Sequence, residues 1–254
     1  MTDEIVRYEV TSGIATVTLD SPGNRNALSA QLIAEITAHL ESAVADEQVR
    51  AVLLTHTGAT FCAGADLRES AAEGGPAAGT ARMLGLLRRL VELPKPVVAR
   101  VDGNVRAGGI GLVGACDIAI VGPATTFAFT EVRLGLAPAI ITLTLRGRMT
   151  ERSLARYYLT GETFDAKAAA ASGLVTVAVE DVDAEVEAVC GGLRRGSPQG
   201  LAESKRLSTA GTRAGFDSDA ASLQALSQRL FESDEAREGV TSFLEKRPPR
   251  WVRE

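Results

Sequence analysis

The sequence predicts an α/β fold with a parallel sheet and a helical region at its C-terminal end, and three observations carry that prediction. Residues 14–19, Ile14-Ala15-Thr16-Val17-Thr18-Leu19, alternate as a half-buried strand does. Behind Ser29, a residue type suited to capping a helix, Leu32, Ile36, Leu40 and Val44 recur at four-residue spacing with Ile33 beside them. Residues 49–55 then form a second apolar run, continuous at its centre as a buried strand is. A helix over 30–45 between two strands is a crossover unit, and crossovers join parallel strands.

The remaining elements follow in order. Asp20-Ser21-Pro22-Gly23-Asn24 is a turn by residue type. Residues 57–67 are rich in Gly and Ala, and residues 71–80, with little periodicity, read as a mobile surface loop. A helix over 81–92 is stopped by Pro94 and Pro96. A strand at 97–101, a glycine-rich turn through 103–109, a helix to about 115 and a strand at 117–121 complete the alternating part. Beyond Thr150 the pattern turns helical at 152–159, 165–171, 182–193, 198–207 and 222–230, interrupted by an extended piece at 174–179. The expected organisation is a core over residues 1–195 followed by a helical region over 196–254.

Composition bounds the function classes. The chain has 254 residues, 45% hydrophobic and 23% charged, enough for a sizeable core and far from a disordered composition. A net charge of -5 argues against bulk attraction to nucleic acid or anionic lipid. No run approaches the roughly 18 apolar residues of a membrane span. Met1-Thr2-Asp3-Glu4 is acidic where a secretory signal is basic and then apolar, so a cytoplasmic protein is expected. Cys62, Cys116 and Cys190 are too far apart for a CxxC metal motif, and an odd number makes a poor disulfide framework. His39 falls in the first helix and His56 ends the second strand, where structural roles are expected of both. No metal is expected.

Glycines carry the chemical interest. Gly109, Gly111 and Gly114 spell G-x-G-x-x-G, with Glu131 about twenty residues on as the acid of a dinucleotide site. The placement is wrong for that: Asp102 to Gly108 separate strand from motif, whereas the dinucleotide fingerprint opens directly off its strand. Close helix–sheet packing explains Gly111 and Gly114 better. Two turns make more sense together: Ala63-Gly64-Ala65 and Ala107-Gly108-Gly109 each follow a strand. Small residues admit a ligand close to the backbone, and two N–H groups aimed at one point would hold an oxyanion, each donor of that type being worth about 3–4 kcal/mol in the transition state.

Several segments in order along the chain carry a resemblance. They are Phe61-Cys62-Ala63-Gly64-Ala65-Asp66-Leu67, Pro94-Lys95-Pro96-Val97-Val98-Ala99, Ala107-Gly108-Gly109 and Ala115-Cys116-Asp117. Residues 127–136, Leu159-Thr160-Gly161, Gly173-Leu174-Val175 and residues 243–248 continue them. Together they resemble the crotonase (enoyl-CoA hydratase/isomerase) superfamily over nearly the whole chain. The resemblance implies a ClpP-like spiral core of repeated ββα units and C-terminal helices that pack between subunits of a homotrimer or hexamer. It implies an acyl-CoA thioester as substrate, so that CoA enters with the substrate and no cofactor is needed.

Residue by residue, the resemblance assigns the oxyanion-holding amides to Ala65 and Gly108 and the acid/base to Glu131. Ala63, Asp66, Leu67 and Arg68 fall along the CoA channel, and Arg25, Arg68 and Lys246 are candidates for CoA contacts. One departure stands out: the position of the first of two family glutamates holds Gly111. Another is Pro138-Ala139-Ile140-Ile141 where many relatives have a glycine-rich segment, a combination similar to bacterial hydratases of glutaconyl-CoA-type substrates. The expectation is an enoyl-CoA hydratase with one glutamate as general acid/base. Its alternatives are a Δ3,Δ2-enoyl-CoA isomerase, a methylglutaconyl-CoA-type hydratase and an acyl-CoA binder without activity.

Overall fold

The computed structural model describes residues 4–66, 69 and 75–253. Strands β1 (Val6–Thr11) and β2 (Ile14–Leu19) pair antiparallel across a tight turn in which Ser12 and Gly13 take positive φ. Helix α1 (Ala30–Ala45) starts where the sequence predicts: the Ser29 hydroxyl accepts the Leu32 N–H at 3.1 Å, and Leu32, Ile33, Ile36 and Leu40 form the buried face. It crosses to β3 (Ala51–His56), parallel to β2.

From β3 the chain winds in ββα turns. β3 leads to β4 (Thr60–Cys62) and helix α2 (Gly75–Glu92); β5 (Val97–Val101) leads to β6 (Asn104–Arg106) and α3 (Gly108–Ala115); β7 (Ile118–Val121) leads to β8 (Thr126–Ala128). In each turn the first strand joins one sheet and the second joins another, because a short break between them redirects the chain. The larger sheet runs β1-β2-β3-β5-β7-β10, with β10 at Val177–Ala178; the smaller runs β4-β6-β8-β9, with β9 at Phe164–Asp165. This is the spiral α/β core. In both sheets the consecutive turns pair parallel, β3 with β5 and β4 with β6.

After β8 come a 3-10 turn (Glu131–Leu134) and helices α4 (Thr142–Leu145), α5 (Glu151–Thr160), α6 (Ala166–Ser172) and α7 (Val182–Arg194). Helices α8 (Pro198–Ser208), α9 (Ala210–Phe231) and α10 (Asp234–Leu244) end the chain. α9 lies against α2 and α4, and α10 lies against the 3-10 turn, so the last helices close over one side of the core. A buried ion pair fastens α8: Lys205 Nζ lies 2.9 Å from Asp117 Oδ2 and donates to the Leu90 and Lys95 carbonyls at 2.7 and 3.1 Å.

Two local expectations need correction. Helix α2 begins at Gly75, so residues 75–80 of the expected loop are helical; residues 71–74 lie outside the described residues. Helix α9 spans 22 residues, beginning twelve residues before the expected 222. In both cases the early turns are poor in apolar periodicity and contain glycine; in α9, burial of Phe216 against neighbouring helices holds them helical.

Candidate functional site

The two glycine turns meet. Because β4 and β6 are parallel neighbours (Thr60 opposite Asn104, Cys62 opposite Val105), their C-terminal ends lie side by side. Gly64, with φ +91°, is so close to the second turn that a Cβ there would lie 3.0 Å from the Ala107 Cβ and 3.7 Å from the Gly108 nitrogen. Ala107 is itself at φ 45°, the bend that turns β6 into helix α3. The Leu28 N–H donates to the Gly64 carbonyl at 2.8 Å, and Leu28 forms a parallel bridge with Ala65. Alternation along an extended segment therefore turns the Ala65 N–H to the opposite edge, the Gly108 side. Among the described residues neither the Ala65 nor the Gly108 N–H donates to a protein acceptor.

Glu131 opens the 3-10 turn after β8, across a cavity of about 730 Å³. Ala65, Gly108 and Glu131 all line that cavity, as do Arg25, Ala63 and Asp66. The residue keeps some exposure, but its Oε2 is buried and has no hydrogen-bond partner. Loss of hydration raises the carboxyl pKa from 4.5 to about 7, only slightly opposed by a hydrogen bond from its own backbone N–H. A carboxyl so tuned exchanges a proton readily at neutral pH.

Gly111 faces a filled wall. A Cβ on it would lie 2.4 Å from Ile141 Cγ2 and 2.9 Å from Ile141 Cβ. The space into which a side chain at this position would grow belongs to Ile141, which lines the cavity with Met83, Ala139 and Ile140. Gly109 and Gly114 likewise pack tightly, on Cys62 and Leu145, as close-packing glycines should.

The other sequence candidates divide. Arg25 is exposed at the rim in a left-handed conformation, its carbonyl accepting the Ala63 N–H at 3.1 Å. The Asp66 Oδ1 accepts the Glu69 N–H at 3.2 Å. Leu67 and Arg68 lie outside the described residues. Lys246, just past α10, is not brought to the cavity, although Phe243 and Leu244 at the end of that helix are. His39 contacts the Val6 carbonyl at 3.0 Å and stacks on Tyr8; His56 Nε2 accepts the Asp102 N–H at 3.1 Å, and burial lowers its pKa. Neither histidine lines the cavity. The Cys62 and Cys116 thiols are pushed up to about 12 by burial and are inert. Sequence reasoning missed Arg82, which lines the cavity from α2: nothing in a helical pattern containing several arginines marks the one that has no counterion among the described residues.

The sequence pattern of the enoyl-CoA hydratase/isomerase family matches residues 9–254. The chain belongs to that family. An enoyl-CoA hydratase from Mycobacterium avium is 51% identical and superposes with a TM-score of 0.92 over 99% of this chain and 100% of that one. A protein named probable enoyl-CoA hydratase from Rhodobacter capsulatus is 36% identical over 257 residues, 99% of each chain. An enoyl-CoA hydratase/isomerase from Pseudoalteromonas atlantica T6c, 27% identical, superposes with a TM-score of 0.88 over 98% of this chain and 100% of that one. The spiral of ββα turns is thus the crotonase fold. Among the described residues no helix is long and apolar enough to cross a membrane.

Proposed function

We propose that the protein is an enoyl-CoA hydratase in which Glu131 is the single acid/base and the Ala65 and Gly108 amides hold the thioester oxygen. The observation that carries this reading is the buried carboxyl of Glu131, poised at about pH 7 in the cavity that both amide-bearing turns line. The ionised carboxylate takes a proton from water as the water oxygen bonds to C3. The C2–C3 π electrons move toward the thioester, whose oxygen takes up the negative charge between the two N–H groups. The protonated carboxyl then delivers that proton to C2 as the enolate collapses, completing addition of one water. With glycine at 111, one group performs both transfers in turn.

Arg25, Ala63 and Asp66 support a CoA channel leading to the turns, and Leu67 and Arg68 continue it in sequence. Family membership and the exposed Phe243 and Leu244 at the cavity rim support a trimer, or a hexamer of two trimers, whose neighbouring copy covers them; sedimentation measures that state. In such an assembly Lys246 would meet CoA held by a neighbouring subunit. A cytoplasmic enzyme fits this chemistry.

Glu131→Gln is expected to lower kcat on a 2-enoyl-CoA by about 10²-fold or more while the Kd for a saturated acyl-CoA stays within about threefold. Unchanged turnover would remove Glu131 from the reaction. The filled face of Gly111 favours a second reading, Δ3,Δ2-isomerisation, since moving a proton from C2 to C4 needs one base and no held water. Incubation of a 3-enoyl-CoA in ¹⁸O-labelled water separates the two: a double-bond shift without label is isomerisation, and label in the product of a 2-enoyl-CoA is hydration.

A further inference from the structure

Among the described residues, Arg82 is a cation of the cavity lining without a counterion. Arg82 is half-buried, its Nε is buried without a hydrogen-bond partner, and among the described residues it forms no ion pair. The other arginines of the lining, and Glu69, are either engaged or solvated, and the unpartnered Oε2 of Glu131 belongs to the proposed acid/base. Arg106 donates to the Val105 and Thr126 carbonyls, to Thr126 Oγ1 and to Asn104 Oδ1. Both Glu69 oxygens accept the Ala30 N–H, at 2.8 and 3.1 Å. Arg25 and Arg133 are exposed. A cation drawn partly out of water without a counterion is costly, and an arriving anion offsets that cost through charge-assisted hydrogen bonds.

The position of Arg82 indicates which part of a ligand supplies the anion. The adjacent Met83 reaches to 3.5 Å from where a Cβ of Gly111 would stand and 3.6 Å from that of Gly108. Arg82 thus springs from the stretch of α2 whose Met83 meets both turns, and it lines the same cavity as the apolar wall of Met83, Ile140 and Ile141. Arg25 and Ala63, joined by the Ala63 N–H to Arg25 carbonyl hydrogen bond, are the residues that the proposed function gives to the CoA part. We infer that Arg82 is a specificity residue that pairs with a carboxylate at the far end of the acyl chain, so that the preferred substrates are enoyl-CoAs of dicarboxylic acids. This inference rests on the reading of the cavity as an acyl-CoA site.

The test compares 2-hexenedioyl-CoA with 2-hexenoyl-CoA, equal in carbon count and different only in the terminal group. The readout is the ratio of their kcat/KM values in wild type, Arg82→Met and Arg82→Lys. Wild type is expected to favour the diacid chain, Arg82→Met to lower the ratio about 30-fold or more, and Arg82→Lys to restore part of it. A ratio that Arg82→Met leaves unchanged overturns the inference; a loss shared equally by both substrates, as a CoA-phosphate contact or a purely structural role would give, does the same. Calorimetric Kd values for adipyl-CoA and hexanoyl-CoA give the same ratio without chemistry. If the enzyme hydrates neither enoyl-CoA, hydration fails as the activity, while the Kd ratio still decides the role of Arg82.

Discussion

Substitution of Gly111 by alanine tests why the family's first acid position is empty of a side chain. The new Cβ would stand 2.4 Å from Ile141 Cγ2 and 2.9 Å from Ile141 Cβ, against the roughly 3.5–4.0 Å that carbon atoms in contact prefer. Ile141 is 4% exposed, so it must move by about 1 Å inside a packed wall. Overpacking of this kind costs about 1–3 kcal/mol, offset by the roughly 0.5–1 kcal/mol that alanine gains over glycine within a helix. The net expectation is a loss of about 1–2 kcal/mol. Ile141→Ala alone opens a cavity and costs about 2–4 kcal/mol. In the double variant most of the clash disappears, because the 2.4 Å contact is with an atom that Ile141→Ala removes. The two changes should therefore couple by about 1–2 kcal/mol, the pair being less damaged than the sum. Urea unfolding of wild type, both single variants and the double variant, at one protein concentration because assembly contributes to stability, measures the cycle. Additivity within about 0.5 kcal/mol, or a Gly111→Ala variant more stable than wild type, refutes the idea that Ile141 excludes a side chain at this position.

Three other outcomes follow from the same geometry. The kcat/KM for hydration should climb with pH through about 7, since the carboxyl of Glu131 must ionise to accept the water proton, and a flat profile from pH 6 to 8 would contradict that role. Gly64→Ala forces a side chain at φ +91° against Ala107, 3.0 Å away, and should lower kcat/KM by about tenfold or more by parting the two amide turns, measured beside a circular-dichroism melt that reports folding. Lys205→Met removes the ammonium 2.9 Å from the largely buried Asp117 and should destabilise by about 3–5 kcal/mol in urea unfolding, much of it recovered by adding Asp117→Asn.

How far the sequence reached depended on what each element needed. Helix α1 was legible because its cap, Ser29, and its face, Leu32 to Leu40, obey purely local rules. Strand β1 carries a readable alternation, Val6, Tyr8 and Val10 against Arg7, Glu9 and Thr11, but it is brief, lies at the sheet edge and has only Val6 fully buried, so it is a weaker signal than β2 or β3. The first turns of α2 and α9 contain Gly75, Gly79, Gly211 and Gly215, residues that oppose a helix until tertiary packing overrides them. At the candidate site, the small-residue turns at Ala65 and Gly108 pointed to an oxyanion, while the proton chemistry of Glu131 came from the family resemblance. Their meeting depends on the β4–β6 register, which joins segments some forty residues apart. The pairing of Gly111 with Ile141 is a three-dimensional fact of the same kind: glycine at 111 marks a departure in the sequence, and only the structure shows what takes its place.

The carboxyl of Glu131 links proposed chemistry to stability, and the sign of that link can be checked. Its folded pKa is about 7 against an ordinary 4.5, so between those values the folded chain holds a proton that the unfolded chain has released. Stability must then fall as pH rises through that window, the reverse of what a salt-bridged carboxylate gives. From pH 5 to pH 8 the loss from this one group is on the order of 2 kcal/mol. Glu131→Gln removes the ionisation and replaces it with a pH-independent cost of burying an amide. Relative to wild type, the variant should therefore gain about 2 kcal/mol between pH 5 and pH 8 in urea unfolding while losing turnover. A stability difference that stays constant across that range would mean the carboxyl is not desolvated, and with that the reason it could trade protons at neutral pH would be gone.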